Sequence, residues 1–366
     1  MNIKKISLWN FRNYQEDETS LSANWNLVVG ANAGGKTNLL EALHFCCLGF
    51  SHRTRNDKEL IRWGEESFTL RIQGNETKGD EPIWQSVSLS NSGEKKVRVN
   101  DVSDNKLSAL IGNFPVVLFS PDDTEVINGG PVYRRRFIDS LLCQVSRPYL
   151  ETLRQYNRIV KQRNAFLKDM EKYPSDMLEV LDAQLIETGS GIISERGAFL
   201  KDFFPRAISF FQEISQTEGD VKFSYSGSLK SESLEKEDLA RAYREKLLSI
   251  KSTEKQFRTT LIGPHRDNLL FLVQDKKAEK FASQGQKRLI ALSLKLASAE
   301  VLKRKFTCDP VLLLDDVFAE LDEMKRKQLS LLIGKSSQVL VASPRREDIP
   351  FSVDKEIHIA QGTICK

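Results

Sequence analysis

The chain has 366 residues, 40% hydrophobic and 28% charged, which is enough for a large core and for more than one structural unit. No apolar run approaches the ~20 residues of a membrane span, and Met1-Asn2-Ile3-Lys4-Lys5-Ile6 breaks its apolar pattern too early for a secretory leader, so a cytoplasmic location with no membrane partner is expected. The five cysteines (Cys46, Cys47, Cys143, Cys308, Cys365) form no Cys-x-x-Cys pair, which argues against a zinc site or a disulfide framework. A net charge of +4 predicts no general affinity for nucleic acid, but residues 131–172 hold ten basic side chains against four acidic ones, more than the whole positive excess.

Ile3 to Leu8 alternates apolar and polar residues and predicts a first strand, adjoining the sheet of the next one. Asn26-Leu27-Val28-Val29 predicts a buried strand running into a glycine-rich turn, and Leu39, Leu40, Leu43 and Cys47 then fall at helical spacing. Short β-like stretches between Phe68 and Val99, separated by Gly, Asn and Asp, predict an antiparallel lobe. Val116-Val117-Leu118-Phe119 predicts another buried strand. From Pro131 to about Phe211 the pattern turns helical. Tyr149, Leu153, Tyr156, Val160, Leu167 and Met170 form one stripe, interrupted by Arg163; Met177, Leu181, Leu185, Ile192 and Phe199 form a second. Tyr173-Pro174-Ser175 breaks the two, because proline cannot continue a helix. This pattern fits a two-helix arm, or equally two helices packed in an ordinary core. Val221–Tyr225 and Asn268–Val273 return to β texture. A helix from Lys287 to about Lys305, with Leu289, Leu292, Leu296 and Val301 inside, precedes the strands Val311–Leu314 and Val339–Ala342. The expected fold is α/β with a mixed sheet and an antiparallel β lobe. Its head spans 1–130 and 216–366, with a helical arm inserted at 131–215.

Three motifs carry chemistry. Gly30-Ala31-Asn32-Ala33-Gly34-Gly35-Lys36-Thr37, with Asn38 next, fits G-x-x-x-x-G-K-[ST] between a strand and a helix. Glycines let successive N–H groups wrap a β-phosphate, Lys36 places a cation on the β/γ oxygens, and the Thr37 hydroxyl ligates Mg²⁺. Leu312-Leu313-Leu314-Asp315-Asp316 is an apolar strand ending in two carboxylates: Asp315 to hold Mg²⁺, Asp316 to orient or deprotonate water. Lys36 and Asp316 are therefore the catalytic pair expected. Ser283-Gln284-Gly285-Gln286 opens the long helix as an anion-binding end, which taken by itself is an ordinary helix cap.

The order of these motifs resembles the ABC/SMC ATPases, and within them the RecF family. The resemblance also rests on Asn10-Phe11-Arg12-Asn13-Tyr14, Ser51-His52-Arg53-Thr54, Phe119-Ser120-Pro121-Asp122, Tyr133-Arg134-Arg135-Arg136-Phe137-Ile138-Asp139, Gln162-Arg163-Asn164, Gly263-Pro264-His265-Arg266-Asp267 and Asp315–Asp322. It implies ATP and Mg²⁺ as cofactors, with Ser283, Gln284, Gly285 and Gln286 touching ATP on a second subunit. It further implies an ATP-dependent homodimer that binds DNA (single-stranded, gapped or double-stranded). Such a protein works with RecO- and RecR-type mediators to load recombinase at gaps in DNA repair and replication, as a weak DNA-dependent ATPase. Three positions depart from the pattern. Ala33 stands where glycine is more usual, Asn268 where a second aspartate is usual, and no glutamine lies at Ser120-Pro121.

Asp316 is one methylene shorter than the glutamate common at its place, which predicts slow hydrolysis. Arg134, Arg135 and Arg136 are candidate DNA contacts, with a solvated helix face as the alternative. Arg12 could reach the nucleotide or sit in a surface ion pair, and His265 and Arg266 could form a polar hub near the 283–286 helix end. Competing functions are a transporter ATPase subunit, which should lack so long a helical insertion, and a small-molecule P-loop kinase, which should lack the Ser283 helix end. A nuclease is a third, though no acidic cluster for a second metal site stands out.

Overall fold

The computed structural model describes every residue except 76–80, 173, 175, 216–219, 230–232, 319–320, 334–337, 350 and 366. Tyr173 and Ser175 of the expected helix break, Ala319 and Glu320 of the Asp315–Asp322 run, and the expected boundary at 215/216 thus fall on or beside residues outside the described set. The chain divides into two compact units. One is Met1–Asp123 with Glu213–Ser215 and Leu292–Lys366; the other is Thr124–Gln212 with Gln216–Ala291.

In chain order the first unit opens with β1 (Asn2–Phe11), β2 (Tyr14–Ser20), β3 (Trp25–Val29), α1 (Lys36–Leu48), β4 (Ser67–Asn75), β5 (Pro82–Ser90), β6 (Lys95–Val99), β7 (Val102–Asp104) and β8 (Val116–Phe119). The second unit holds α2 (Glu125–Asn128), α3 (Pro131–Val145), α4 (Arg147–Lys168), α5 (Met177–Ser215), β9 (Val221–Ser226), α6 (Lys236–Ser249), α7 (Lys251–Phe257), β10 (Asn268–Val273), β11 (Lys276–Lys277), α8 (Ala278–Phe281) and the start of α9 (Gln284–Phe306). The first unit then closes with β12 (Val311–Asp315), α10 (Glu323–Ile333), β13 (Val339–Ser343), β14 (Lys355–Ala360) and β15 (Thr363–Cys365).

The first unit has two sheets. One is antiparallel, ordered β2-β1-β4-β5-β6-β7. Its alternating strands bury one face: Ile3, Ile6, Leu8, Phe68, Leu70, Ile72, Val87 and Leu89 lie in the core. β1 therefore belongs to the antiparallel lobe; it adjoins the sheet of the glycine loop, as expected, by sharing its core and by the bonds of the Ile3 backbone to Gln338, without being one of its strands. The other sheet is ordered β15-β14-β3-β13-β12-β8, parallel except at its β15 edge. Its central strands are continuous apolar runs because both faces are covered. α1 packs in one core with side chains from both sheets, and so is buried nearly all round. Its C-terminus ends at Gly49 (φ +71), whose N–H bonds the Phe45 carbonyl.

In the second unit α4 starts at Ser146, whose hydroxyl accepts from the Tyr149 N–H. Its buried face is Tyr149, Tyr156, Ile159, Arg163, Phe166 and Leu167, while Met170 is exposed. Arg163 does not interrupt the stripe; it is inside it, 1% exposed. Its guanidinium reaches Asp182 on α5 at 2.7 Å, Glu254 on α7 at 2.7 Å and the Thr260 hydroxyl at 3.1 Å. Burial works against its charge, and Glu254 and Asp182 outweigh that. Arg196 of α5, also buried, clasps Asp139, the Tyr149 hydroxyl and the Pro264 carbonyl. The inserted helical subdomain is thus present, with its helices packed in a core. The compact unit that holds it is larger than 131–215, taking in β9, β10 and the 260–267 segment, where Arg163 reaches Thr260 and Arg196 reaches Pro264. In α9, Leu289, Leu292 and Leu296 are buried as expected, but Leu302, not Val301, faces the core.

Candidate nucleotide-binding site

The site is built at the carboxyl ends of β3 and β12, which flank β13 in the parallel sheet. β3 runs out into Gly30–Gly35, and α1 begins at Lys36. Gly35 has φ +122, and a Cβ there would stand 3.0 Å from the Tyr14 hydroxyl and from Asn13 Nδ2. A side chain at Gly30 would strike the Ile359 carbonyl. Ala33, where glycine is more usual, has φ +62, the left-handed region that its Cβ disfavours. The loop is braced from outside. Tyr14 donates its hydroxyl to the Gly35 carbonyl at 2.9 Å, the Gly362 N–H donates to the Gly34 carbonyl at 2.8 Å, and Asn13 links Gly34 to Asn38.

Lys36 Nζ donates to the Gly30 and Ala31 carbonyls at 2.9 and 3.1 Å, so its cation lies across the mouth of the loop. The Thr37 hydroxyl donates to Asp315 Oδ1 at 2.9 Å. This pair unites the two motifs across 278 residues of sequence. Burial pushes the Asp315 carboxyl up to about 6, with the nearby Asp316 charge adding to the rise and Thr37, Arg53 and Lys36 opposing it. Asp316 has φ +52, its N–H bonds the Ala342 carbonyl, and its Oδ1 is buried without a hydrogen-bond partner among the described residues. Burial also raises its pKa, against Lys36. A buried carboxylate oxygen left unpaired is costly, and one held at a strained backbone position marks a site shaped for something else.

Mg²⁺ takes oxygen ligands and usually only one or two from protein, the rest from phosphate and water. Thr37 Oγ1 and Asp315 Oδ1 form such a pair, and the orphaned Asp316 oxygen adjoins them, so the residues present fit the ion. No group of three or more His, Cys, Asp or Glu side chains that could hold a metal ion occurs among the described residues.

In the second unit Ser283 and Gln286 cap α9 reciprocally. The Gln286 N–H donates to Ser283 Oγ at 3.2 Å, and the Ser283 N–H to Gln286 Oε1 at 2.9 Å. Ser283, Gln284 and Gly285 are exposed, and a Cβ on Gly285 would meet nothing closer than 3.9 Å. His265 and Arg266 spend their hydrogen bonds on Tyr156 and Thr260 rather than on this helix end.

The arginine run divides. Arg134 is 5% exposed and donates to Asn268 Oδ1 and to the carbonyls of Ile127 and Gly129. Burial and these bonds make Arg134 a structural residue rather than the DNA contact expected of it. Arg135 and Arg136 are half-buried, and Arg135 bonds the Asp267 carbonyl. Asn268, the departure noted above, is the side-chain acceptor among those of Arg134.

Sequence reasoning missed one assembly. Arg12 donates twice to Glu41 of α1, at 2.8 and 2.9 Å, and Ser51 and Arg53 donate to the same fully buried carboxylate. Of the two readings of Arg12, the structure shows the ion pair, with its guanidinium partly exposed and Glu41 buried. At Ser120-Pro121, where no glutamine stands, Asp123 accepts from the Ser120 N–H and pairs with Lys295 at 2.7 Å.

A phosphate loop and a paired-carboxylate strand on one parallel sheet, with an antiparallel lobe and a helical insertion, define an ATPase head of the ABC/SMC class. The RecF/RecN/SMC N-terminal domain family matches residues 2–362. The DNA replication and repair protein RecF of Bacillus thuringiensis (strain Al Hakam) is 39% identical over all of this chain and 98% of its own length. A solved structure of the recombination mediator protein RecF with ATP, in the RecFOR pathway, superposes with TM-score 0.92 at 30% identity, covering all of this chain and 97% of that one. The Pyrococcus furiosus Smc head domain shares the fold alone, with TM-score 0.57 at 18% identity over 99% and 94% of the two chains. The chain belongs to the RecF family. No described helix is long and apolar enough to cross a membrane.

Proposed function

We propose that this protein is an ATP-switched DNA-binding factor of recombinational repair and replication. ATP lies on Gly30–Asn38 of one copy and is closed by Ser283–Gln286 of a second, so nucleotide binding joins two heads. The dimer engages single-stranded, gapped or double-stranded DNA and works with RecO- and RecR-type mediators to load recombinase at gaps. The observation that carries the reading is the Thr37–Asp315 contact beside the unpartnered Asp316 oxygen, because it joins distant motifs into one half of a phosphate site. The solvent-open Ser283 helix end supplies the complementary half. Thr37 and Asp315 are the residues that would hold Mg²⁺, which would supply positive charge beside the phosphates. Asp316 orients the attacking water and accepts its proton as the γ-phosphorus to bridging-oxygen bond breaks. Its short side chain suits slow turnover, so the protein is a weak DNA-dependent ATPase whose hydrolysis resets the switch.

Sedimentation with and without ATP and DNA tests this. Wild type dimerises with ATP, Lys36→Met stays monomeric, Asp316→Asn accumulates as a DNA-bound dimer, and Ser283→Arg binds ATP without dimerising. A wild-type monomer that holds ATP and DNA with residues 283–286 uninvolved overturns the reading.

A further inference from the structure

The basic excess of residues 131–172 divides once burial is known. Arg134 and Arg163 are inside, but α4 turns a row of cations outward. Arg154, Arg158, Lys161 and Lys168 follow one another at steps of four, three and seven, with Ala165 in the last gap. At ~100° per residue they fall within about 80° of each other, on the side of α4 opposite Arg163. At ~1.5 Å per residue the row is about 21 Å long. Arg158, Lys161 and Lys168 are exposed and form no ion pair among the described residues, while Arg154 shares Glu151 with Arg147.

Acids do not cancel the row, even with bonded ones counted at full charge. Glu151 is the only acid within α4. From Arg147 to Lys172, leaving out buried Arg163, there are six cations and three acids, and two of those acids, Asp169 and Glu171, lie past the end of α4. The helices beside α4 turn acids inward: Asp139 of α3 bonds Arg196, and Asp182 of α5 bonds Arg163. An interface with a folded protein needs apolar or aromatic anchors, and no large apolar side chain of α4 is exposed. A single strand held with its bases unstacked likewise needs aromatic faces to stack on. A duplex backbone needs neither. It carries one phosphate charge per about 1.7 Å of its axis and is gripped by Arg and Lys whatever its sequence.

We infer that the outward face of α4, with Arg154, Arg158, Lys161 and Lys168, grips the phosphate backbone of duplex DNA. This placement rests on the DNA-binding reading above and says where a duplex touches this unit. The test compares wild type with Arg158→Gln/Lys161→Gln/Lys168→Gln and with the charge-keeping Arg158→Lys/Lys161→Arg/Lys168→Arg. A third variant, Arg244→Gln/Lys246→Gln/Lys255→Gln, removes the same charge from exposed sites on α6 and α7. Each is titrated on a labelled duplex and on oligothymidylate, with ATP and Mg²⁺, over a range of salt. Glutamine suits an exposed helix position as well as lysine or arginine does, so every variant should melt as wild type does. At about 0.9 per lost phosphate contact, the α4 glutamine triple should flatten the duplex salt slope by about 2.7 or more. The same slope makes the loss of duplex affinity about a hundredfold at about 0.15 M salt, and the loss on oligothymidylate should be smaller. The charge-keeping triple and the α6–α7 triple should match wild type in slope. An unchanged duplex slope in the α4 glutamine triple, an equal change in the α6–α7 triple, or a loss on oligothymidylate as large as on the duplex overturns the inference and leaves the DNA-binding reading intact. Failure of wild type to bind any DNA removes both.

Discussion

Replacing Arg163 by methionine removes the cation that the buried Glu254 shares with Asp182. Glu254 is 1% exposed, and its Oε2 takes Arg163 at 2.7 Å. Asp182 is 20% exposed in its side chain and can be rehydrated, so most of the cost falls on Glu254. Breaking a buried pair from one side costs about 3–5 kcal/mol, because the remaining charge is stranded. At about 2–4 °C per kcal/mol for a domain of this size, the second unit should melt roughly 10 °C lower. Adding Glu254→Gln removes the stranded charge and should return at least half of the loss, since replacing both partners of a buried pair costs far less than removing one. Circular dichroism melts of wild type, Arg163→Met and the double variant measure this at neutral pH. A loss below about 1 kcal/mol, or a double variant no better than the single, refutes the view that Arg163 is held by these carboxylates rather than by packing.

Ala33→Gly should stabilise the protein by about 0.5–1 kcal/mol in urea titration, because Ala33 sits at φ +62 and glycine relieves that strain, offset in part by unfolded-chain entropy. His265 predicts acid sensitivity. Its ring accepts from the Tyr156 hydroxyl at 2.6 Å and faces the Thr260 carbonyl, and burial lowers its pKa from 6.5 to about 4. The unfolded chain then binds a proton before the folded one. Stability present above pH 6.5 therefore falls as pH drops toward 4, by about 1.4 kcal/mol per unit and about 3 kcal/mol in all. His265→Gln should show a shallower decline of the urea midpoint over that range.

What the sequence disclosed follows the range of the interactions involved. The glycine loop, the apolar strand before Asp315 and the cap at Ser283 are local patterns, and each stands where its residues place it. Sheet membership is not local. β1 alternates like any half-buried strand, and nothing in Ile3–Leu8 says that its neighbours are β2 and β4 rather than β3. Arg163 shows a different limit. Periodicity counts apolar residues, so a buried arginine looks like a break until Asp182 and Glu254, from two other helices, are seen around it. The same blindness made Arg134 look like a surface cation, when Asn268 and three carbonyls hold it inside. The insertion was drawn too small because β9 and β10 have strand texture like the head's. Only their partners assign them to the helices. The Glu41 assembly could have been suspected from an acid set between Leu40 and Ala42 in α1, with Arg12 before it and Arg53 after it in the sequence.

The strand that feeds the glycine loop is bonded on one edge to residues 339–343 and on the other to residues 355–358. Gln338, just before the first of these, also closes onto the Ile3 backbone, 335 positions earlier. During synthesis, then, the phosphate-binding sequence emerges from the ribosome long before anything exists to flank it. A nascent chain halted near residue 330 carries every motif residue yet has no pocket. Competence for nucleotide arrives only when the final strands slot in, a late non-local step that proteins of high contact order complete slowly.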